Sequence, residues 1–336
     1  MSALATAPRT DDATLGLIGD IGGTNARFAL GRIEQGRITV DSLRILQACD
    51  YPSGTDAIRA YLHGLECGTQ PRFAVIACAG PIEDGAIEFT NNTSWSFSER
   101  DLMSNLGLTR ARLINDFTAQ ALAIDHFHPE DWRLVGPDIP GLAGGSMAIL
   151  GPGTGFGAGG RISDSTGRVT LTGEAGHVSF APCDEVEYEI CRRLSARHGR
   201  VSIERLISGP GLRNLYETLN AIEGIDTPSL APNQITHRAI EGDVLCRAAL
   251  GRFCAMLGGV AGDLALAFGA RGGVYVTGGI APVILEFLRD SEFRARFEAK
   301  GRMSPYVQAI PTRVVVRPDA ALVGAASVLT ELEAQA

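Results

Sequence analysis

Short apolar runs separated by glycine-rich turns dominate the first part of the chain. Residues 15–20 are apolar up to a final carboxylate, and residues 26–33 follow the turn Ile21-Gly22-Gly23-Thr24-Asn25. Apolar runs of this length, bounded by glycine turns, are typical of β-strands joined in a hairpin. With a third run at residues 38–46, the pattern predicts three consecutive antiparallel strands.

The same pattern begins again near the middle of the chain. Residues 147–150 form an apolar run, the turn Gly151-Pro152-Gly153-Thr154-Gly155 follows, and further strands are predicted at residues 156–162 and 168–172. The segments LGLIGDIGGTNARFAL and SMAILGPGTGFGAGGR therefore share a strand, a glycine turn and a second strand. Such self-similarity indicates an internal duplication.

Segments with helical or strand character connect and follow these two hairpins. A helix is predicted over residues 55–66, a buried strand over 73–77, and a short strand over 112–114 that runs into Asn115-Asp116 and a helix over 117–124. The later part of the chain is mainly helical. Its predicted helices lie at residues 185–198, 202–207, 211–220, 243–268 and 320–332, and its predicted strands lie at 273–277, 307–310 and 313–316.

Composition and charge exclude several classes of function. The net charge is −8 and no block of Lys or Arg occurs, whereas binding to nucleic acid or to an anionic membrane would need a clustered basic face. Lys300 is the single lysine of the chain. A Walker P-loop, a protein-kinase strand lysine and a pyridoxal phosphate Schiff base are therefore ruled out.

Cysteine use and hydropathy indicate a cytoplasmic protein. The seven cysteines form no C-x-x-C pair, and their odd number suits a reducing compartment, so we expect them to be small core residues. Residues 1–14 lack the apolar region of a signal peptide, and no later apolar run approaches about 18 residues, so no membrane helix is predicted.

The glycine turns that follow predicted strands are candidate phosphate sites. The segment Gly19-Asp20-Ile21-Gly22-Gly23-Thr24-Asn25 offers backbone N–H groups that can hold an anion without a lysine. Asp20 is a candidate to hold magnesium through water, because Mg²⁺ relies on one or two carboxylates together with substrate phosphates. The turns Gly153-Thr154-Gly155 and Gly278-Gly279 repeat the pattern. An ordinary hairpin turn is the alternative explanation for the first of these segments.

The second glycine turn also overlaps a possible dinucleotide-binding motif. Residues 155–160 match the dinucleotide fingerprint G-x-G-x-x-G. That fingerprint requires a helix to follow, whereas residues 161–167 are predicted to form a turn between strands. A Rossmann fold is therefore rejected.

Three groups of polar residues are candidates for recognising or activating a hydroxyl group. Asp116 lies at a strand-to-helix junction and is a candidate general base, with helix capping as the alternative for Asn115 and Asp116. Glu174 and His177 lie three residues apart among small residues, which suits a hydroxyl-rich ligand, although a lone His is often structural. Glu204 either joins such a site or is a solvated or ion-paired residue in the first turn of a capped helix.

Taken in their order along the chain, these motifs closely resemble the bacterial glucokinases, ATP-dependent hexokinase-type enzymes of the actin-like ATPase fold. The resemblance runs from Leu15 to the last helix, and the segments GDIGGTNARFAL, INDFTAQALA, GEAGHVSFAP and SGPGLRNLY carry it. The sequence contains neither the cysteine-rich zinc motif of the related repressor and kinase family nor the helix-turn-helix of the sugar-responsive repressors.

The resemblance implies a role for each candidate residue. Asp116 corresponds to the catalytic base that takes the proton of the sugar 6-hydroxyl group, and it also belongs to the predicted sugar site. The residues that correspond to glucose ligands are Asn115, Asp116, Glu174, His177 and Glu204. The residues that correspond to the ATP-binding segments are Gly19, Asp20, Ile21, Gly22, Gly23 and Thr24, then Gly153, Thr154 and Gly155, and Gly278 and Gly279 on the adenosine side.

The fold implied by the resemblance is α/β, a duplicated actin-like (ribonuclease H-like) ATPase fold of two domains with a cleft between them. We expect a small domain of residues 1–114 plus 319–336 and a large domain of residues 115–318. The expected activity is phosphorylation of glucose by ATP with Mg²⁺, with no nucleic-acid or membrane partner. Phosphorylation of mannose or fructose, a non-catalytic sugar sensor and a homodimer remain open alternatives.

Overall fold

The described residues form two compact units. The computed structural model describes residues 14–65, 70–89, 95–165 and 167–336. Unit 1 comprises the described residues up to His126 together with Asp319–Ala336, and unit 2 comprises the described residues of Phe127–Pro318. A unit boundary thus falls between residues 318 and 319, whereas the expected boundary after residue 114 lies before a helix that belongs to unit 1.

The secondary-structure elements are numbered in chain order over the described residues. The strands are β1 (Thr14–Ile21), β2 (Asn25–Glu34), β3 (Arg37–Gln47), β4 (Phe73–Cys78), β5 (Ala86–Glu88), β6 (Ser96–Ser98), β7 (Arg110–Asn115), β8 (Trp132–Leu134), β9 (Met147–Pro152), β10 (Phe156–Asp164), β11 (Gly167–Gly173), β12 (Gly273–Val276) and β13 (Thr312–Val315). The helices are α1 (Gly54–His63), α2 (Glu99–Leu106), α3 (Asp116–Ala123), α4 (Glu185–His198), α5 (Gly209–Ile222), α6 (Pro232–Glu241), α7 (Val244–Ala267), α8 (Leu285–Arg289), α9 (Phe293–Glu298), α10 (Ser304–Gln308), α11 (Ala320–Ser327) and α12 (Leu329–Ala334).

Unit 1 is built on a sheet with the strand order β3-β2-β1-β4-β7. The hairpin predicted at its start is confirmed, since β1 and β2 pair antiparallel with Ile21 opposite Ala26. Strand β3 continues the antiparallel meander, whereas β4 and β7 run parallel to β1. The carboxyl ends of β1, β4 and β7 therefore meet at one edge of this sheet.

Apolar side chains cover both faces of the unit 1 sheet. Neighbouring strand residues point to opposite faces, so Leu17 joins the core beneath α1 and α2, whereas Ile18 packs with Leu322 and Leu329 of α11 and α12. Helix α11 also packs on α3, where a Cβ at Gly324 would collide with the Ala119 carbonyl group. This close packing explains why α3 belongs to unit 1.

Unit 2 repeats the sheet of unit 1. Its strand order is β11-β10-β9-β12-β13-β8, where β9, β10 and β11 form the antiparallel meander and β12 and β13 run parallel to β9. Strand β8 is an added antiparallel edge strand. The predicted duplication is confirmed by this matching topology. The rejection of a Rossmann fold is also confirmed, because residues 156–164 form strand β10 rather than a helix.

Helix α7 is the central core helix of unit 2. The sequence predicts this helix at residues 243–268, close to its observed bounds. By length and composition it is the one helix among the described residues that is apolar enough to cross a membrane. Its apolar residues are mostly buried within the protein, including Phe253, Leu257 and Val260. Gly262 lets α9 approach, since a Cβ there would lie 2.5 Å from the Phe297 carbonyl oxygen.

Two predicted elements are wrong. Residues 202–207 form a turn rather than a helix, because Ser202 bridges to Ser179 and the Glu204 N–H donates to the Gly176 carbonyl oxygen at 2.9 Å. Residues 307–310 are not a strand, because helix α10 begins at Ser304 with a proline in its first turn and ends at Gln308. The final helix divides into α11 and α12 at Val328.

The cysteines are only partly the core residues that the sequence predicts. Cys78, Cys246 and Cys254 are buried, whereas Cys49 and Cys183 are exposed. Cys67 lies outside the described residues. Burial raises the pKa of the Cys254 thiol to about 12, so this side chain stays protonated at neutral pH.

Candidate active site

The predicted site residues of unit 1 gather at the carboxyl edge of its parallel strands. Cys78 at the end of β4 pairs with Ile21 of β1 on one side and with Asn115 of β7 on the other. The first glycine turn follows β1 directly, and Asp116 follows β7. The structure therefore brings Asp20 and Asp116 to the same edge of one sheet.

Asn115 caps the helix that Asp116 begins. Its Oδ1 accepts hydrogen bonds from the N–H groups of Phe117 and Thr118 at 2.9 and 3.2 Å, and its Nδ2 donates to the Gly80 carbonyl oxygen at 3.2 Å. The capping explanation for Asn115 is confirmed, and its part in a sugar site stays a prediction. The Asp116 Oδ1 accepts from the Phe117 N–H at 3.0 Å. A carboxylate in a first helical turn is stabilised by the helix dipole.

Asp20 is a partly buried carboxylate beside the Arg27 guanidinium group. Its side chain is 19% exposed, and Arg27 Nη1 donates to its Oδ2 at 3.2 Å. Burial raises the pKa of Asp20, and the Arg27 charge offsets part of this rise. The nearby Cys78 thiol has its pKa raised well above the usual range by burial and by the carboxylates of Asp20 and Asp116. These two carboxylates thus share one buried neighbour.

The first glycine turn uses part of its backbone for its own structure. The Gly22 N–H donates to the Asn25 carbonyl oxygen at 3.0 Å, which closes the turn. Gly19 lies within β1, where a Cβ would come within 2.8 Å of Ile76 and 3.0 Å of Phe28. Close packing therefore accounts for the glycine at position 19, and phosphate binding by this segment stays a prediction.

Among the described residues, the side chains around Asp20 do not by themselves form a complete metal-binding site. Over residues 14–65, 70–89, 95–165 and 167–336, no group of three or more His, Cys, Asp or Glu side chains is placed to hold a metal ion. A single carboxylate nevertheless suits Mg²⁺, which keeps several waters and takes further oxygens from phosphates.

The second and third glycine turns lie together in unit 2. The Gly153 N–H donates to the Gly155 carbonyl oxygen at 2.8 Å, and the Gly153 carbonyl oxygen accepts from the Gly209 N–H at 2.8 Å. Gly278 has φ +86°, and a Cβ there would collide with the Pro152 carbonyl oxygen. Both conditions require glycine at position 278. The structure thus places Gly278 directly beside the turn that contains Gly153.

Glu174 and His177 border one short helical turn and are exposed. Residues 175–177 form a 3₁₀ turn in which the His177 N–H donates to the Glu174 carbonyl oxygen at 3.0 Å. Arg200 Nη1 donates to the His177 carbonyl oxygen at 2.6 Å. Arg200 could not be predicted from the sequence, because a bond to a backbone carbonyl group leaves no local sequence signal.

Glu204 joins the segment of Glu174 and His177 to the second glycine turn. Its N–H donates to the Gly176 carbonyl oxygen at 2.9 Å, and its Oε2 accepts from the Phe156 N–H at 3.0 Å. The predicted sugar residues Glu174, His177 and Glu204 and the predicted phosphate turn are therefore neighbours within unit 2. The bond to Phe156 spans 48 positions of sequence and was not predicted.

The chain that carries these residues matches a known protein family over nearly its whole length. The family model described as Glucokinase matches residues 17–332, which include every predicted site residue. The chain belongs to the glucokinase family. Among its relatives are the glucokinases of Caulobacter sp. (strain K31), 52% identical over 94% of this chain and 95% of that protein, and of Hahella chejuensis (strain KCTC 2396), 42% identical over 96% and 98%.

Solved structures agree with this glucokinase assignment. The crystal structure of a glucokinase from an Antarctic psychrotroph has a TM-score of 0.86 and 34% identity, and the match covers 95% of this chain and 99% of that one. A ROK family glucokinase from Streptomyces griseus in complex with glucose and AMPPNP has a TM-score of 0.63 at 20% identity, covering 94% and 99% of the chains. The latter shows the fold alone, which is the duplicated actin-like ATPase fold expected from the sequence.

Proposed function

We propose that this protein is an enzyme that transfers the γ-phosphoryl group of ATP to O6 of glucose, giving ADP and glucose 6-phosphate. The observation that carries the proposal is the identity of 42–52% to proteins named glucokinase over nearly the whole chain. Phosphoryl transfer asks a protein mainly for positioning and for charge stabilisation. A chain whose single lysine is Lys300 can meet both needs through backbone N–H groups and carboxylates.

Asp116 is proposed as the general base of this reaction. Its carboxylate accepts the proton of the 6-hydroxyl group as O6 bonds to the γ-phosphorus, and the bond from that phosphorus to ADP breaks with its electron pair left on ADP. The position of Asp116 supports this role, because a carboxylate at the end of β7 and the start of α3 is held by regular structure. A general base contributes about 10²- to 10⁴-fold to the rate.

Glucose selection is assigned to Asn115, Asp116, Glu174, His177 and Glu204. A site built from hydrogen-bonding groups rejects a sugar that leaves those groups unpaired. Glu174 and His177 support the assignment because both side chains are exposed next to Glu204. Mannose and fructose are therefore expected to be poorer substrates than glucose.

The glycine segments are assigned to ATP. The first turn, Gly19 to Thr24, and the second, Gly153 to Gly155, would donate backbone N–H groups to phosphate oxygens, with Gly278 and Gly279 on the adenosine side. Asp20 would hold Mg²⁺ through water, and the ion would neutralise charge on the phosphates. We further expect the enzyme to act in the cytoplasm, without nucleic-acid or membrane partners.

A panel of sugars and phosphoryl donors tests the proposal. Glucose, mannose and fructose are each incubated with ATP, ADP or polyphosphate, and the hexose monophosphate formed is measured by mass spectrometry. Glucose with ATP should give the highest kcat/KM. A higher value for another hexose would reassign the substrate, and sugar binding without any phosphorylated product would identify a sugar sensor instead.

A further inference from the structure

Glu204 contacts the segment of the second glycine turn through its side chain, which accepts the Phe156 N–H. We infer that Glu204 is a positioning residue for the phosphate side of the site, in addition to its proposed contact with glucose. The inference rests on the proposed function. On sequence alone, Glu174 and Glu204 are equivalent, since each is a carboxylate in a predicted sugar segment.

The carboxylate of Glu204 and the second glycine turn fit closely against each other. Glu204 Oε2 accepts the Phe156 N–H at 3.0 Å, immediately after the turn. A Cβ on Gly155 would lie only 2.5 Å from the same Oε2. Because this oxygen fills the space beside Gly155 and orders the following amide, the turn and the carboxylate each restrict the position of the other. In the described part of the chain, Oε1 of Glu204 makes no hydrogen bond.

The backbone after Glu204 returns to the same turn. Buried Ser208 donates its hydroxyl group to the Glu204 carbonyl oxygen at 2.7 Å and accepts from the Gly211 N–H at 3.0 Å, which caps α5. The Gly209 N–H donates to the Gly153 carbonyl oxygen at 2.8 Å. Residues 204–209 thus hold the turn at two points, through a side chain at Phe156 and through the backbone at Gly153.

This double attachment makes the two substrate sites depend on each other. Removing the Glu204 carboxylate frees the Phe156 amide, so the turn loses part of its order before any nucleotide binds. Conversely, a substitution in the turn that displaces the Glu204 carboxylate moves a proposed glucose ligand. A loss of the bond between a charged acceptor and a partly buried amide is large enough to be measured.

The first experiment compares Glu204 with Glu174 in the absence of sugar. Affinity for the magnesium complex of AMPPNP is measured by calorimetry for the wild type, Glu204→Ala, Glu204→Gln and Glu174→Ala. We expect about three- to tenfold weaker binding for Glu204→Ala, recovery in Glu204→Gln because the amide oxygen still accepts the Phe156 N–H, and no change for Glu174→Ala. Equal nucleotide affinity in Glu204→Ala and Glu174→Ala would overturn the inference.

The second experiment approaches the contact from the turn, in the absence of nucleotide. Gly155→Ala forces the Glu204 carboxylate away and should weaken glucose binding by a similar factor. Gly251→Ala in α7 is the control, since a Cβ there meets nothing within 4 Å and Gly251 lies in no proposed binding segment, and its glucose affinity should equal that of the wild type. Unchanged glucose affinity in Gly155→Ala would contradict the proposed dependence.

Hydrogen exchange separates this inference from the proposed function. The Phe156 amide should exchange slowly in the wild type and in Glu204→Gln, and faster in Glu204→Ala. Fast exchange in the wild type would refute the contact itself. Wild-type protein that binds neither glucose nor AMPPNP, with a protected Phe156 amide, would instead refute the proposed function and leave the contact in place.

Discussion

Asp116→Asn separates catalysis from folding at the proposed base. The amide oxygen of Asn can still accept the Phe117 N–H, which Asp116 Oδ1 accepts at 3.0 Å, so the start of α3 should persist. What is lost is a negative charge at a helix N-terminus, worth about 0.3–1 kcal/mol, and the acceptor of the hydroxyl proton. Loss of the base should lower kcat by about 10²- to 10⁴-fold, equivalent to about 2.7–5.4 kcal/mol in the barrier.

The expected loss of stability in Asp116→Asn is several times smaller than the expected rise in the activation barrier. Destabilisation of the protein therefore cannot account for the expected loss of turnover. The assay measures kcat and the glucose KM at saturating ATP, with the urea midpoint of unfolding measured in parallel. Asp138→Asn is the matched control, because Asp138 is an exposed carboxylate in a loop of unit 2. Near-normal turnover of folded Asp116→Asn protein would refute Asp116 as the base.

Three further predictions concern stability and reactivity. Arg296→Met should lower the free energy of unfolding by about 2 kcal/mol in urea titrations, because fully buried Glu187 loses two bonds from Arg296, at 2.8 and 3.1 Å, and keeps Arg252 at 3.3 Å. A loss below about 0.5 kcal/mol would contradict this. Asn115→Ala should lower the free energy of unfolding by about 1 kcal/mol through loss of the α3 cap, whereas Asn115→Asp should keep the wild-type stability. Equal urea midpoints for Asn115→Ala and the wild type would count against the cap. Exposed Cys49 should react with a thiol reagent at pH 8, whereas buried Cys254, with a pKa of about 12, should stay unmodified. Peptide mapping measures the modification of each cysteine, and equal rates at Cys49 and Cys254 would argue against the burial of Cys254.

The local parts of the fold could be predicted from the sequence. The two glycine hairpins, and helix α4 with its predicted bounds at residues 185 and 198, follow from turn residues and periodicity within a short window. Residues 202–207 could not be predicted in the same way, because the N–H groups of Ile203 and Glu204 donate to the carbonyl oxygens of Val178 and Gly176. Partners far along the chain override the capped helix start that the local sequence suggests.

The candidate site could likewise be predicted only in part from the sequence. The candidate residues follow from motifs, and the cap at Asn115 follows from a polar residue at a strand-to-helix junction. The attachment of Glu204 to Phe156 could not be predicted, since it depends on two segments that meet only in the folded chain. Arg296 and Glu187, which stabilise unit 2 across 109 positions, were missed for the same reason.

The duplicated sheets differ in the residue at one matching strand position. Asp20 stands one residue before the end of β1, and Gly151 holds the matching place in β9. A side chain at Gly151 would meet Thr277, with the added Cβ 2.8 Å from the Thr277 methyl carbon and 2.9 Å from its carbonyl group. A carboxylate side chain at position 151 would therefore require the backbone at Thr277 to shift. The two halves therefore share the path of the backbone at this point but not its chemistry, because the carboxylate near the end of the first strand is present in unit 1 and a glycine replaces it in unit 2.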